Sequence, residues 1–307
     1  MVDLVIKPES NESAWHEDVE LWSLWQKDGE QLANFYLDLH PREGKYTHAA
    51  VFDISSGGSV RQELPVCSMV ANFPNPNTGD GLMTFDEVET LFHEFGHAMH
   101  GILTNVTYPS MAGTSGPRDF IELPSQLLEH WVSEPEVLKS FATHYETGES
   151  MPDELIEKLL KASKFNQGFI NTEYLAAALL DMDWHTISTK ESMKDANSFE
   201  EKSLKEIGLI EEIAARYRTT YFAHIFSGGY SSGYYSYVHA AVLDSDGFEA
   251  FNEAGDVFDP ELSSKLRKHI YEKGSTEEAM DLYVNFRGRK PIIAPLLKVR
   301  GLDGSSD

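Results

Sequence analysis

The 307-residue sequence has a single cysteine, Cys67. This excludes an internal disulfide framework, fits a reducing compartment and leaves Cys67 to be read as a buried core thiol. Positive charge is scarce: 25 Lys and Arg stand against 50 Asp and Glu, a net charge of −25. That balance argues against nucleic acid and anionic membrane surfaces as partners. Long apolar runs are also missing; the longest, around residues 174–180, is far too short to span a bilayer. Residues 1–8 show no basic segment leading into an apolar one, so no signal peptide is read and a cytoplasmic location is expected. No internal repeat or low-complexity linker divides the chain.

What is present is the composition of a folded protein, with 41% hydrophobic and 24% charged residues. Residues 20–37 read as helical or mixed, and 39–44 as a turn. Apolar and β-branched runs at 47–54 and 63–73, set between Gly, Ser, Pro and Asn, predict two short strands. After the loop 73–79, Thr84 and Glu87 form a capping-box pattern ahead of Val88, Leu91, Phe92 and Phe95. This predicts a helix to about Gly101. Further helices are expected at 122–132, 135–146, 152–185, 198–223, 233–243, 263–272 and 276–286. The expected fold is mainly α, with a small β-sheet ahead of the motif helix.

His93 and His97 are four residues apart, so on that helix their rings leave one face a turn apart. Two imidazoles so placed can share a zinc ion, with Glu94 beside them to take a proton from water. A catalytic zinc needs a third protein ligand, from another element, and an open position. His100 lies about 10 Å along the axis from His93 and reads as a polar histidine near the helix C-terminus. The next segment offers Asp119, Glu122 and Glu129. Glu122 and Glu129 stand two turns apart on one face, so one can ligate while the other steadies a ligating imidazole. Spacing does not choose between them, and solvated surface carboxylates show the same pattern. The ligand set suits zinc, one ion per chain, although cobalt or manganese could occupy it.

Residues 224–237 combine His224, Tyr230, Tyr234 and Tyr237 with Gly228, Gly229 and Gly233. A glycine-rich loop edged by polar aromatics can fold over a ligand, and its hydroxyl and imidazole groups can donate to an oxyanion. The same pattern also suits aromatic packing at a helix start.

The run from His93 to Gly101, followed by Pro117-Arg118-Asp119-Phe120-Ile121-Glu122-Leu123-Pro124-Ser125-Gln126, resembles the thimet oligopeptidase family of zinc metallopeptidases. The likeness extends from about Trp15 to Leu302. It implies a zincin-like catalytic domain over residues 1–307, forming one wall of a helical peptidase channel. It further implies His93, His97 and Glu122 as zinc ligands, Glu94 as general base, and Asp119 and Glu129 as non-ligands. Glu129 is then expected to steady a ligating histidine. The resemblance also implies that His224, Tyr230 and Tyr237 bind substrate and stabilise the tetrahedral intermediate, with Tyr234 a lesser candidate.

The activity implied is hydrolysis of short peptides. Residues 144–154 and 175–185 look closer to the peptidyl-dipeptidase type, whereas the stretch around 46–50 looks closer to oligopeptidase A. Release of C-terminal dipeptides is therefore favoured, with endo-acting cleavage as the alternative. Family members carry an N-terminal helical half that this sequence lacks, so a missing half or partner chain is expected to complete the channel. They also commonly carry tryptophan where this chain has His239, which is read as a satisfied structural histidine. These departures support a third reading, a catalytically weak zinc- and peptide-binding remnant.

Overall fold

A computed structural model of the chain describes residues 4–9, 14–60, 62–188 and 195–304. The first three residues of the run examined for a signal peptide lie outside them. Five strands form one sheet: β1 (Leu4–Pro8), β2 (Glu20–Gln26), β3 (Gln31–Asp38), β4 (Ala50–Ser55) and β5 (Val66–Val70). Their spatial order is β1-β2-β3-β5-β4. Neighbours are antiparallel except β3 and β5.

The helical or mixed reading of 20–37 is corrected to a hairpin. Its burial alternates with period two along β3, where Ala33 and Phe35 are buried. The strands reverse at Gly29, whose φ of +98° is open to glycine at little cost. The strands expected at 47–54 and 63–73 are present as the shorter β4 and β5.

At the end of β3, Asp38 is 3% exposed and accepts hydrogen bonds from Arg42 at 2.6 and 2.8 Å and from Trp15 at 3.0 Å. The Lys45 ammonium stands 3.0 Å away. Burial alone would raise the Asp38 carboxyl, but the hydrogen bonds from Arg42, Trp15 and Lys45 hold it well below its ordinary range. Such a group stabilises the fold above about pH 4 and loses that contribution as pH falls. Asp38→Asn is expected to melt below the parent at pH 7, with the Tm gap closing as pH drops from about 4 toward 2. A gap of constant size across that range would contradict this account.

The helices follow as α1 (Phe85–Ile102), α2 (Leu123–Glu129), α3 (Pro135–Phe141), α4 (Asp153–Ala162), α5 (Gln167–His185), α6 (Ala196–Ile207), α7 (Ala223–Phe226), α8 (Ser236–Ala254), α9 (Pro260–Leu266), α10 (Ala279–Arg287) and α11 (Ala294–Val299). The single helix expected over 152–185 breaks between α4 and α5, where Asn166 is left-handed at φ 59°. The helix expected over 198–223 stops at Ile207, capped by left-handed Gly208. Beyond it, 209–218 is irregular and brings Arg216 and Tyr217 toward His224. Helix α8 extends beyond the expected 233–243, and β1 and α11 were not anticipated.

One face of the sheet packs on α1, α1 packs on α2, and α2 packs on α8. Leu24, Ala33, Phe35 and Cys67 share one core with Ala98, Met99 and Ile102 of α1, Leu123 and Leu127 of α2, and Leu243 and Phe251 of α8. Cys67 is therefore a core thiol, and burial pushes its pKa up to about 12. Among the described residues, no helix is long and apolar enough to cross a membrane.

Candidate metal centre

Helix α1 starts with the expected capping box. The Thr84 hydroxyl accepts from the Glu87 backbone N–H at 3.3 Å, and the Glu87 carboxylate accepts from the Thr84 backbone N–H at 2.7 Å. This sets the helix register, placing His93 and His97 one turn apart with ring centroids 4.9 Å from each other.

The third group comes from the start of α2. Glu122 is 1% exposed, and its Oε2 lies 3.1 Å from His97 Nε2 and 3.5 Å from His93 Nε2. The approach depends on Gly96, because a Cβ there would lie 2.5 Å from the Pro124 carbonyl oxygen and 2.6 Å from Ser125 Cα. Tyr271, from beyond α9, donates to that carbonyl at 3.1 Å. Ser125 Oγ lies 2.9 Å from Glu122 Oε2, and Tyr230 donates to Glu122 Oε1.

His93 uses Nδ1 toward Glu129 Oε1, at 2.5 Å, which leaves Nε2 facing Glu122. Asp119 lies apart, its carbonyl accepting from His239 Nδ1 at 3.0 Å. His100 stands in the last turn of α1 as expected, but it is buried against the edge of Tyr271. Burial pushes its pKa down to about 3, with the charge of His97 adding to the shift.

The donor set fits a divalent cation. One ligand atom each from His93, His97 and Glu122 lie within 4.8 Å of one another. The two separations from Glu122 resemble the roughly 3.4 Å between ligands of a tetrahedral ion with bonds of about 2.1 Å. The surroundings also favour positive charge. Burial would lower His93, yet the hydrogen bond to Glu129 and the charges of Glu129, Glu122 and Glu94 hold its pKa up to about 9. Burial would raise Glu122, but His97, His93 and Tyr230 hold it below the usual carboxylate range. Glu94 is 7% exposed, and its Oε2 has no hydrogen-bond partner among the described residues. Burial raises its pKa despite the two histidines.

The tyrosine loop lies over this trio. Tyr230 and Tyr237 stack with ring centroids 5.1 Å apart, and His224 lies 6.2 and 6.4 Å from them. Burial and the nearby Glu122 push both tyrosine pKa values up, which keeps the hydroxyls protonated as donors. Tyr234 is 2% exposed beneath the loop, its ring 5.5 Å from that of Tyr174.

Sequence reasoning did not find the loop's anchor. Asp181 of α5, fully buried, accepts the backbone N–H groups of Ser232 at 3.0 Å and Tyr234 at 2.9 Å. His48, with its ring 5.5 Å from that of His224, was also missed. An Asp directly following the apolar run 175–180 was the available signal for the first. Asp181→Ala is expected to leave two N–H groups unpaired, at about 1–3 kcal/mol each. It should also lower kcat about tenfold, with KM moving less, through loop displacement. Asp181→Asn should retain part of both, and an unchanged Tm and kcat in Asp181→Ala would refute the anchor.

Residues 2–302, nearly the whole chain, match Peptidase family M3. The chain is 40% identical over 291 residues to dipeptidyl carboxypeptidase of Escherichia coli, an alignment covering 94% of this chain and 43% of that protein. It is 37% identical to oligopeptidase A of the same organism, over 98% of this chain and 45% of the relative. The chain thus spans less than half the length of these relatives. Its fold is similar to that of the Pyrococcus furiosus carboxypeptidase, with a TM-score of 0.54 at 16% identity, over 87% of this chain and 53% of that one. With the match spanning both the His93–His97–Glu122 trio and the tyrosine loop, the chain belongs to peptidase family M3.

Proposed function

We propose that the chain is the catalytic part of a zinc peptidase acting on short peptides and releasing C-terminal dipeptides. The observation that carries this reading is the convergence of His93, His97 and Glu122 beside the buried Glu94 Oε2, unpaired among the described residues, and under the Tyr230–Tyr237 pair. His93, His97 and Glu122 would hold the zinc, with Glu129 fixing the His93 ring. Zinc held there supplies Lewis acidity toward the scissile carbonyl and the attacking water. Glu94 accepts the water's proton and returns it to the leaving amine. Tyr230, Tyr237 and His224 donate to the developing oxyanion. The likeness to dipeptidyl carboxypeptidase supports the dipeptide mode. A cytoplasmic setting belongs to the same proposal, supported by the single, buried Cys67.

A second reading is a chain that binds zinc and peptide but needs further polypeptide for turnover. It is favoured by the apolar stripe on α5, where Phe169, Leu175, Leu179 and Met182 are exposed. Product masses from an N-blocked octapeptide, with the zinc-loaded chain, decide between them. Dipeptides support the first reading, whereas internal fragments turn it to endo-acting cleavage. Zinc bound without cleavage supports the second.

A further inference from the structure

We propose that Tyr271 is a positioning residue for the metal centre: its hydroxyl fixes the Pro124 carbonyl and so sets how closely Glu122 approaches His93 and His97. This rests on the metal-site part of the reading above.

Tyr271 stands where the chain changes pitch. After α9 it runs through one π-helical turn, Arg267–Tyr271, in which the Glu272 N–H donates to the Arg267 carbonyl at 3.0 Å. Such turns carry one residue more than an α-helical turn and recur at functional sites. The Arg267 guanidinium meets the Glu272 carboxylate at 2.7 Å and closes the same turn. Tyr271 itself is fully buried, in one core with Ala98 and Met99 of α1 and Leu123 of α2. Its ring lies edge-on to that of His100, with centroids 6.4 Å apart.

The Pro124 carbonyl oxygen has two neighbours that matter. The Tyr271 hydroxyl donates to it at 3.1 Å, and Gly96 of α1 comes so near that a Cβ there would lie 2.5 Å away. Gly96 only permits the approach of α2; the phenol supplies a directional bond that holds it. A carbonyl has two lone pairs, so the phenol bonds this oxygen without displacing a helical N–H. Pro124 is two residues from Glu122, within one helical turn, so a shift of that carbonyl moves the Glu122 backbone with it. Ser125 and Tyr230 hold the Glu122 carboxylate, and Tyr271 holds the backbone that carries it.

The residues after Tyr271 fasten the connection between α1 and α2. The Glu272 carbonyl accepts from the Asn105 N–H at 2.9 Å, and the Ser275 N–H donates to the Met111 carbonyl at 2.9 Å. Between them Gly274 is left-handed at φ 49°, and a Cβ there would lie 1.9 Å from the Met111 carbonyl oxygen. Segment 267–275 therefore meets the last turn of α1, the connection and the first turn of α2. A phenylalanine would fill the core equally well, so the role specific to tyrosine is the bond to Pro124. Tyr283 gives the contrast. It is equally buried in the same core, but its hydroxyl bonds Asp246 at 2.6 Å and the Leu243 carbonyl at 3.2 Å, both on α8 and neither in the metal-holding set.

The test reads zinc affinity on the full chain, held well below its melting temperature so that global stability does not enter. Kd values come from competition with a chelator, for the parent, Tyr271→Phe and Tyr283→Phe. Each variant keeps its ring and loses one buried hydroxyl, and each should melt below the parent in a single transition. Tyr271→Phe is expected to bind zinc about three- to tenfold more weakly, the worth of one hydrogen bond. Tyr283→Phe should bind zinc as the parent does. Equal zinc affinity in the parent and Tyr271→Phe overturns this assignment alone. An equal loss in Tyr283→Phe also overturns it, because the effect would then be a general loosening of the core. A parent chain that binds no zinc overturns the metal-site reading, and this assignment with it.

Discussion

Glu94→Gln is expected to lower peptide turnover by about 10²–10⁴-fold, the usual worth of a positioned general base. Metal stoichiometry should stay at that of the parent. Glu94 is outside the trio whose donor atoms converge, so its loss removes no ligand. Its Oε2 is buried with no hydrogen-bond partner among the described residues, beside the histidines, where a water poised for attack can reach it. Glutamine preserves shape and burial but cannot accept that proton. Metal content and initial rate, measured on the same preparation, separate the outcomes. Full rate would make another group the base. Loss of metal along with rate would make Glu94 part of the metal-holding set.

Gly96→Ala is expected to lower metal affinity on the order of 10²-fold, the upper end for disturbing what positions a ligand. Helix propensity alone predicts the opposite sign for stability, since alanine is favoured over glycine by about 1 kcal/mol in a helix interior. The contact decides. The new Cβ would lie 2.5 Å from the Pro124 carbonyl oxygen and 2.6 Å from Ser125 Cα, which are backbone atoms with no rotamer to yield. Helix α2 must move away from α1, and Glu122 moves with it, opposite the two histidines. Overpacking of this kind costs about 1–3 kcal/mol. Zinc titration and melting with and without zinc provide the readout. A variant that melts higher than the parent and binds zinc as well would show that the helix crossing tolerates the methyl group.

The contrast between these two residues marks how far the sequence could be read. Glu94 was legible because His93, Glu94 and His97 lie within two turns of one helix, and that helix announces its own start through Thr84 and Glu87. The missed hairpin over 20–38 has a different cause. Its Trp, Leu and Phe residues suit either a strand or a helix, and pairing with β5, a non-local partner, settled the choice. Similarly, the expected helix over 198–223 concealed Arg216, because apolar periodicity continues past Gly208 while the chain does not.

By itself the sequence determined the motif helix, its two imidazoles, the adjacent carboxylate and the mainly helical class, all consequences of local spacing and composition. Family resemblance selected Glu122 from three carboxylates that spacing left open. Only the tertiary structure decided why Glu122 can reach the histidines, how Asp181 fixes the tyrosine loop, and where Arg216 stands. The physical reason is that side-chain periodicity is written within each element. The approach of α1 to α2 is set instead at Gly96, where the absence of a Cβ lets two backbones meet.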